Sequence, residues 1–222
     1  MIGVFTIVFT VLLPSQPIGV PYPVFLLPAL LAWNFHAAGT LGGMQSVVGN
    51  AGLLGKVSFP REALPISSVL ANGVNFLLAL VILLPVMFLL GVGPSFLWLA
   101  FPVVFLAQTM FTLGIAFFLS AVNVYFRDTS VIVDVVMLAW LFLTPIFYDL
   151  RVIQAHGGID LAQLVPLLNP MATYIAAYRE IFVTHATPGP FFLGRALITG
   201  LITCGLGFWI FRRLSRGFGD VL

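Results

Sequence analysis

The chain alternates between long apolar runs and short polar stretches, and within each run the apolar residues follow one another without a break. The runs cover residues 2–13, 24–48, 63–90, 96–122, 131–148 and 191–211. About 20 apolar residues in a helix cross the hydrocarbon core of a bilayer, so five of these runs predict spanning helices. Barrel strands would alternate lipid-facing and lumen-facing positions, and these runs do not. The run at 2–13 is too short to cross alone and predicts a truncated first span. The fold class expected is therefore an all-α polytopic membrane protein of about six spans, forming one transmembrane domain over 1–222.

The polar stretches set the boundaries. A proline-rich turn lies at 14–23, and Gly91-Val92-Gly93-Pro94-Ser95 predicts a tight turn between two spans. Two charged islands stand out: one over 49–62, ending Lys56-Val57-Ser58-Phe59-Pro60-Arg61-Glu62, and one over 123–130, containing Arg127 and Asp128. After the fifth run the pattern changes, and 149–166 reads as an exposed loop with a short helix. Asn169-Pro170 is a helix start, with Asn as N-cap and Pro at the first position. The helix it opens, 171–183, carries Arg179 and Glu180 and is too short to span; a re-entrant or interfacial helix on the extracytoplasmic side is expected. Thr187-Pro188-Gly189-Pro190 ends it, and Arg212, Arg213 and Arg216 follow the last run.

Composition sharpens this picture. The chain is 61% hydrophobic and 7% charged, with a formal charge of +2. Soluble domains carry roughly 25% charge. A charge of +2 gives no basis for a nucleic-acid partner. The single cysteine, Cys204, allows no disulfide within the chain and no cysteine metal cluster. Lys56, Arg61, Arg127, Arg212, Arg213 and Arg216 fall on one side if every span crosses once, against Arg151, Arg179 and Arg195 on the other. Cytoplasmic loops are the Lys/Arg-rich ones, so both islands and the C-terminus are expected in the cytoplasm and the 149–190 region outside.

Candidate chemistry is sparse. There is no Gly-rich phosphate loop, no nucleophile elbow, and no His or Cys cluster for a metal; His36, His156 and His185 fall in three separate segments. No catalytic residue is expected. His36 and Asn34, in mid-span, either hydrogen-bond neighbouring helices or line a path, and Trp33, Phe35 and Tyr148 join them as path candidates. Asp134, seven residues after Arg127, reads either as half of an ion pair at the membrane boundary or as a side chain that snorkels to it; it lacks the polar company of a proton relay. Gly39 and Gly43 have the GxxxG spacing for close helix approach, within one subunit or between two. Asn72 and Asn75 share a face and are expected to bond a neighbouring helix. Trp98, Tyr148 and Tyr174 are candidates for the interface belt. The first island mixes Leu53, Leu54, Val57 and Phe59 with its charges, which fits either a membrane surface or a groove on a soluble partner.

Several segments carry a resemblance. Residues 56–65, reading KVSFPREALP, resemble a segment of the permease subunits of type-2 ABC exporters of polysaccharides: O-antigen, capsule and teichoic acid. PYPVF at 21–25 and LAWNF at 31–35 are similar to that family's second span. LSAVNVYFRD at 119–128, TPIFY at 144–148, and NPM at 169–171 with Tyr178-Arg179 resemble further family segments in the same order.

The resemblance implies six spans, a homodimer, and a separate cytoplasmic ATPase subunit that binds ATP and Mg, with no cofactor in this chain. It implies a bacterial cytoplasmic (inner) membrane location and a lipid-linked glycan as cargo. It also implies that Lys56, Phe59, Pro60, Arg61 and Glu62 contact the ATPase, supported by Arg127 and Asp128, and that Asn169, Pro170, Tyr178, Arg179 and Glu180 belong to an extracytoplasmic gate. Family members carry an amphipathic interfacial helix before the first span, and this chain is expected to be shortened there. An exporter of drugs or small lipids remains the alternative. A membrane-embedded sugar or lipid transferase would need an acidic cluster, which Asp134, Asp149 and Asp160 do not form by spacing.

Overall fold

The computed structural model describes residues 20–54, 60–148, 161–184 and 190–220. The run at 2–13, the islanders Lys56 and Phe59, and the stretch 149–160 lie outside them. Among the described residues the elements are helical: α1 (Tyr22–Gly49), α2 (Ala51–Leu54), α3 (Ala63–Leu89), a 3-10 turn (Phe96–Ala100) leading into α4 (Phe101–Tyr125), α5 (Thr129–Leu143), α6 (Leu161–Leu168), α7 (Pro170–Arg179), a π-helical turn (Glu180–Thr184), α8 (Pro190–Leu214) and a 3-10 turn (Ser215–Asp220).

Among the described residues, four helices are long and apolar enough to cross a membrane: Tyr22–Gly49, Ala63–Leu89, Phe96–Tyr125 and Phe192–Phe218. Local chemistry sets their ends. Pro23 sits in the first turn of α1, where its missing N–H is not needed. Gly91 takes φ +89°, a left-handed conformation open to glycine, and reverses the chain after α3. Ser95 accepts a hydrogen bond from the Leu97 amide and caps the 3-10 turn that begins the next span.

The fifth span departs from expectation. The apolar run reaches 148, but the helix stops at Leu143. Thr144 is extended, because Pro145 disfavours helical geometry in the residue before it. α5 is thus 15 residues, about 22 Å at 1.5 Å per residue. The helix at 171–183 is likewise divided: α7 ends at Arg179 and the π-helical turn follows.

The core lies between α1, α4 and α7. Phe25, Met171, Tyr174, Ile175 and Tyr178 are buried there with Val104 and Phe111. Small residues decide how closely helices approach. A Cβ on Gly43 would lie 2.7 Å from that of Ala116, and one on Gly39 would lie 3.0 Å from Thr112 Cγ2. The GxxxG face of α1 therefore packs on α4 within the chain. α4 and α8 touch backbone to backbone: a Cβ on Gly114 would strike the Thr203 carbonyl, and one on Gly207 would strike Gly114. Outward faces of α3, α5 and α8 present Leu78, Ile82, Val135, Phe142, Leu201 and Trp209, the apolar surface a bilayer solvates.

Candidate functional site

Among the described residues, the charged groups other than Asp134 lie toward the two ends of the bundle. At one end the first island meets the C-terminal tail. Arg61 donates to the Ser215 carbonyl, and its guanidinium lies 5.9 Å from the centre of the Phe218 ring. Glu62 pairs with Arg212 at 3.7 Å. Tyr125, at the end of α4, donates to the Leu214 carbonyl at 2.8 Å. Three stretches placed on one side by charge counting are thus in contact. Pro60, Arg127 and Asp128 are exposed at the same end. Arg61 and Glu62, expected to face a partner, are half-buried and engaged with their own chain. Of the two readings of Asp134, the ion pair with Arg127 does not form: Arg127 sits in a turn before α5 begins, so helical spacing does not relate the two, and Asp134 lies exposed on α5.

At the other end the break after α5 organises a web of hydrogen bonds. A helix end leaves carbonyls without partners. Thr144 Oγ1 donates to the Trp140 carbonyl at 2.7 Å, and Asn169 Nδ2 donates to Thr144 Oγ1 at 2.9 Å. Asn169 Oδ1 accepts from the Met171 amide at 3.1 Å and from Trp140 Nε1 at 2.9 Å. The expected N-cap is therefore also the bolt between α7 and α5. Arg179, 8% exposed, donates to the carbonyls of Pro145 at 2.7 Å and Ile146 at 2.5 Å, and its guanidinium lies 3.6 Å from the centre of the Phe25 ring. The planar five-donor fork suits this web of carbonyls over an aromatic face. Pro170 opens α7 and Glu180 opens the π-helical turn, a deviation that recurs at functional positions.

Between the ends, α7 is tied to both α4 and α8. Tyr178 donates to Gln108 Oε1 at 2.7 Å, and Gln108 Nε2 donates to the Ala32 carbonyl at 2.7 Å. Tyr174 donates to the Ala196 carbonyl at 2.9 Å and contacts Thr199 Oγ1 at 3.3 Å. Tyr174 is fully buried and does not join the interface belt.

The path candidates divide. His36 Nδ1 pairs with Thr112 Oγ1 at 3.0 Å, with its ring stacked on Phe111 at 5.4 Å between centres. Trp33 meets Trp140 edge-on, and Phe35 stacks on Phe76. These three are core residues of the single chain. Asn34 is exposed and lines a groove between α1 and α3 with Ala38, Asn72, Asn75 and Ala79. Tyr148 is 36% exposed. Asn72 bonds the Ser68 carbonyl of its own helix at 2.9 Å, where a bond to a neighbour was expected, because i−4 carbonyls lie within reach of a short amide. No group of three or more His, Cys, Asp or Glu converges among the described residues.

Residues 56–183 match the family described as ABC-2 type transporter. The chain belongs to that family. The ABC-2 chain is similar to the O-antigen export system permease protein RfbA of Myxococcus xanthus, 36% identical over 186 residues, covering 83% of this chain and 69% of that protein. It is also similar to the protein of the same name from Klebsiella pneumoniae, 29% identical over 220 residues, covering 99% of this chain and 80% of the relative. The family match spans the first island from Lys56, α3 to α7 and the π-helical turn, so both polar ends fall at least partly within it.

Ser215, Phe218, Gln108 and Tyr174 were not legible as site residues. Arg212 carried one signal, its sign, which placed it on the island side.

Proposed function

We propose that this chain is the permease subunit of an ATP-driven exporter of a lipid-linked polysaccharide, acting as a homodimer with a separate cytoplasmic ATPase subunit. The reading is carried by the gathering of the first island, the end of α4 and the Arg-rich tail at one end of an otherwise apolar bundle. That end matches the Lys/Arg-rich side, which belongs in the cytoplasm. Such a surface is where a soluble ATPase would apply force. Arg127, Asp128 and Pro60 are exposed there and, with Lys56 and Phe59, would form the contact. The relatives named for O-antigen export support the cargo class.

On this reading the opposite end, with Asn169, Pro170, Tyr178, Arg179 and Glu180, is the extracytoplasmic gate, and α7 is its re-entrant helix. Two copies would enclose the path that one closely packed chain lacks. ATP and Mg belong to the partner subunit.

The test is export in cells whose own permease gene is deleted. Arg127→Glu with Asp128→Lys is expected to reduce recovery of the ATPase subunit with the permease and to make lipid-linked glycan accumulate inside. Unchanged export and unchanged recovery would overturn the docking surface. Drug sensitivity without glycan accumulation on deletion would move the cargo to small apolar molecules.

A further inference from the structure

Phe218 lies in a short tail of polar and glycine residues, yet it is 1% exposed. It packs edge-on against Phe211 at 5.7 Å and Tyr125 at 6.0 Å, in a cluster with Val47, Phe117 and Val124. Gly217 allows this descent, because a Cβ there would come within 2.7 Å of the Tyr125 hydroxyl. Arg61 closes the turn from above, bonded to the Ser215 carbonyl and placed over the Phe218 ring. One turn of chain thus holds the start of α3, the end of α4 and the end of α8.

What this turn is fastened to matters. The α4–α8 seam is backbone against backbone at Gly114, Gly207 and Gly200, whose Cβ would meet the Ala107 carbonyl at 2.5 Å. At these three positions no side chain lies between the helices to change rotamer and absorb a displacement, and Phe117 packs against Phe208 and Phe211 across the same seam. At its far end the same two helices hold Tyr174 through the carbonyls of Ala196 and Ala107, and Gln108 holds Tyr178.

We propose that the 215–218 turn is a coupling buckle. Arg61 and Phe218 are positioning residues that fasten the island to the α4–α8 pair, so that a displacement of the island moves α4, α8 and α7 together. This rests on the reading of the island end as the surface that meets the ATPase. It assigns the tail a role distinct from docking: the ATPase touches the exposed residues, and the buckle passes the movement on.

The experiment uses the full permease purified with its ATPase subunit in proteoliposomes. The half-buried Cys204 is replaced by Ser, and the exposed Leu167 at the end of α6 by Cys as reporter. The rate of maleimide labelling is compared without nucleotide and after trapping with ATP and vanadate. The parent is expected to show a several-fold change. Phe218→Ala and Arg61→Met are expected to bring the ratio close to one while the ATPase subunit is still recovered in full, and Phe218→Leu to restore most of the change. Arg61→Met keeps the apolar plug and so guards against simple misfolding of Phe218→Ala. A ratio equal to the parent's in both variants overturns the buckle. Loss of the ATPase subunit from both also overturns it, because the tail would then be a docking surface. A ratio near one in the parent, with the ATPase subunit still recovered, overturns the buckle alone; the docking reading falls only to the recovery and export test above.

Discussion

Tyr178 donates its hydroxyl to Gln108 Oε1 at 2.7 Å, and neither side chain has any exposed surface. The Gln108 amide is in turn spent on the Ala32 carbonyl of α1. Tyr178→Phe therefore leaves a buried amide oxygen without a donor, which costs about 1–3 kcal/mol. Gln108→Leu in the Tyr178→Phe background removes that orphan. Thermal unfolding in detergent is expected to show the double variant losing clearly less than the sum of the two single losses. Simple additivity would mean that the bond is not formed.

Arg179 presents a second graded prediction. Its guanidinium serves the Pro145 and Ile146 carbonyls and covers Phe25. Lysine offers a point charge in place of a planar fork. Arg179→Lys is expected to lower stability, and Arg179→Met to lower it further, by about 3 kcal/mol, since the carbonyls then lose their donor inside the bundle. Size-exclusion profiles after stepwise heating should rank the three proteins in that order. Equal profiles would contradict the web.

Glycines at two positions of the same bundle should behave in opposite ways. A Cβ on Gly114 strikes the backbone of α8, whereas one on Gly205 meets nothing within 4 Å. Gly114→Ala forces the helices apart and is expected to cost about 1–3 kcal/mol as overpacking does. Gly205→Ala is expected to be neutral or to stabilise by up to about 1 kcal/mol through helix propensity. The two melting temperatures, measured side by side, check the seam directly.

The pair of Glu62 and Arg212 is weak by its surroundings. The Arg212 side chain is 66% exposed, and the separation is 3.7 Å. Exposed pairs contribute about 0–1 kcal/mol. Glu62→Gln is therefore expected to leave the melting temperature nearly unchanged in low and high salt. A large loss of stability would show that the pair is less hydrated than its exposure implies.

The spans were legible because the bilayer leaves little freedom: long apolar runs must be helical, and polar residues mark where they surface. The Asn169-Pro170 helix start was legible for a local reason, since cap and first position lie next to each other. The end of α5 was there to be read as well, in Thr144-Pro145, but the apolar run to 148 masked it. Tertiary partners were not legible. Tyr178 and Gln108 are 70 positions apart, and the sequence offers no rule that pairs them. Phe218 carried no signal in the sequence, lying among polar and glycine residues; only the fold supplies Phe211 and Tyr125 to cover it. His36 was left between packing and path-lining, and Thr112 and Phe111 place it in the packed interior of the chain.

The brevity of α5 has a consequence for the lipid around it. At about 22 Å it falls roughly a quarter short of a hydrocarbon layer of about 30 Å. A short hydrophobic helix is accommodated by thinning the bilayer, or by drawing polar flanks inward. Either response shortens the apolar barrier beside the outward face of Val135 and Phe142 relative to that beside α3. Compared with the four longer described helices, α5 is therefore the one beside which a polar headgroup would have less oil to cross.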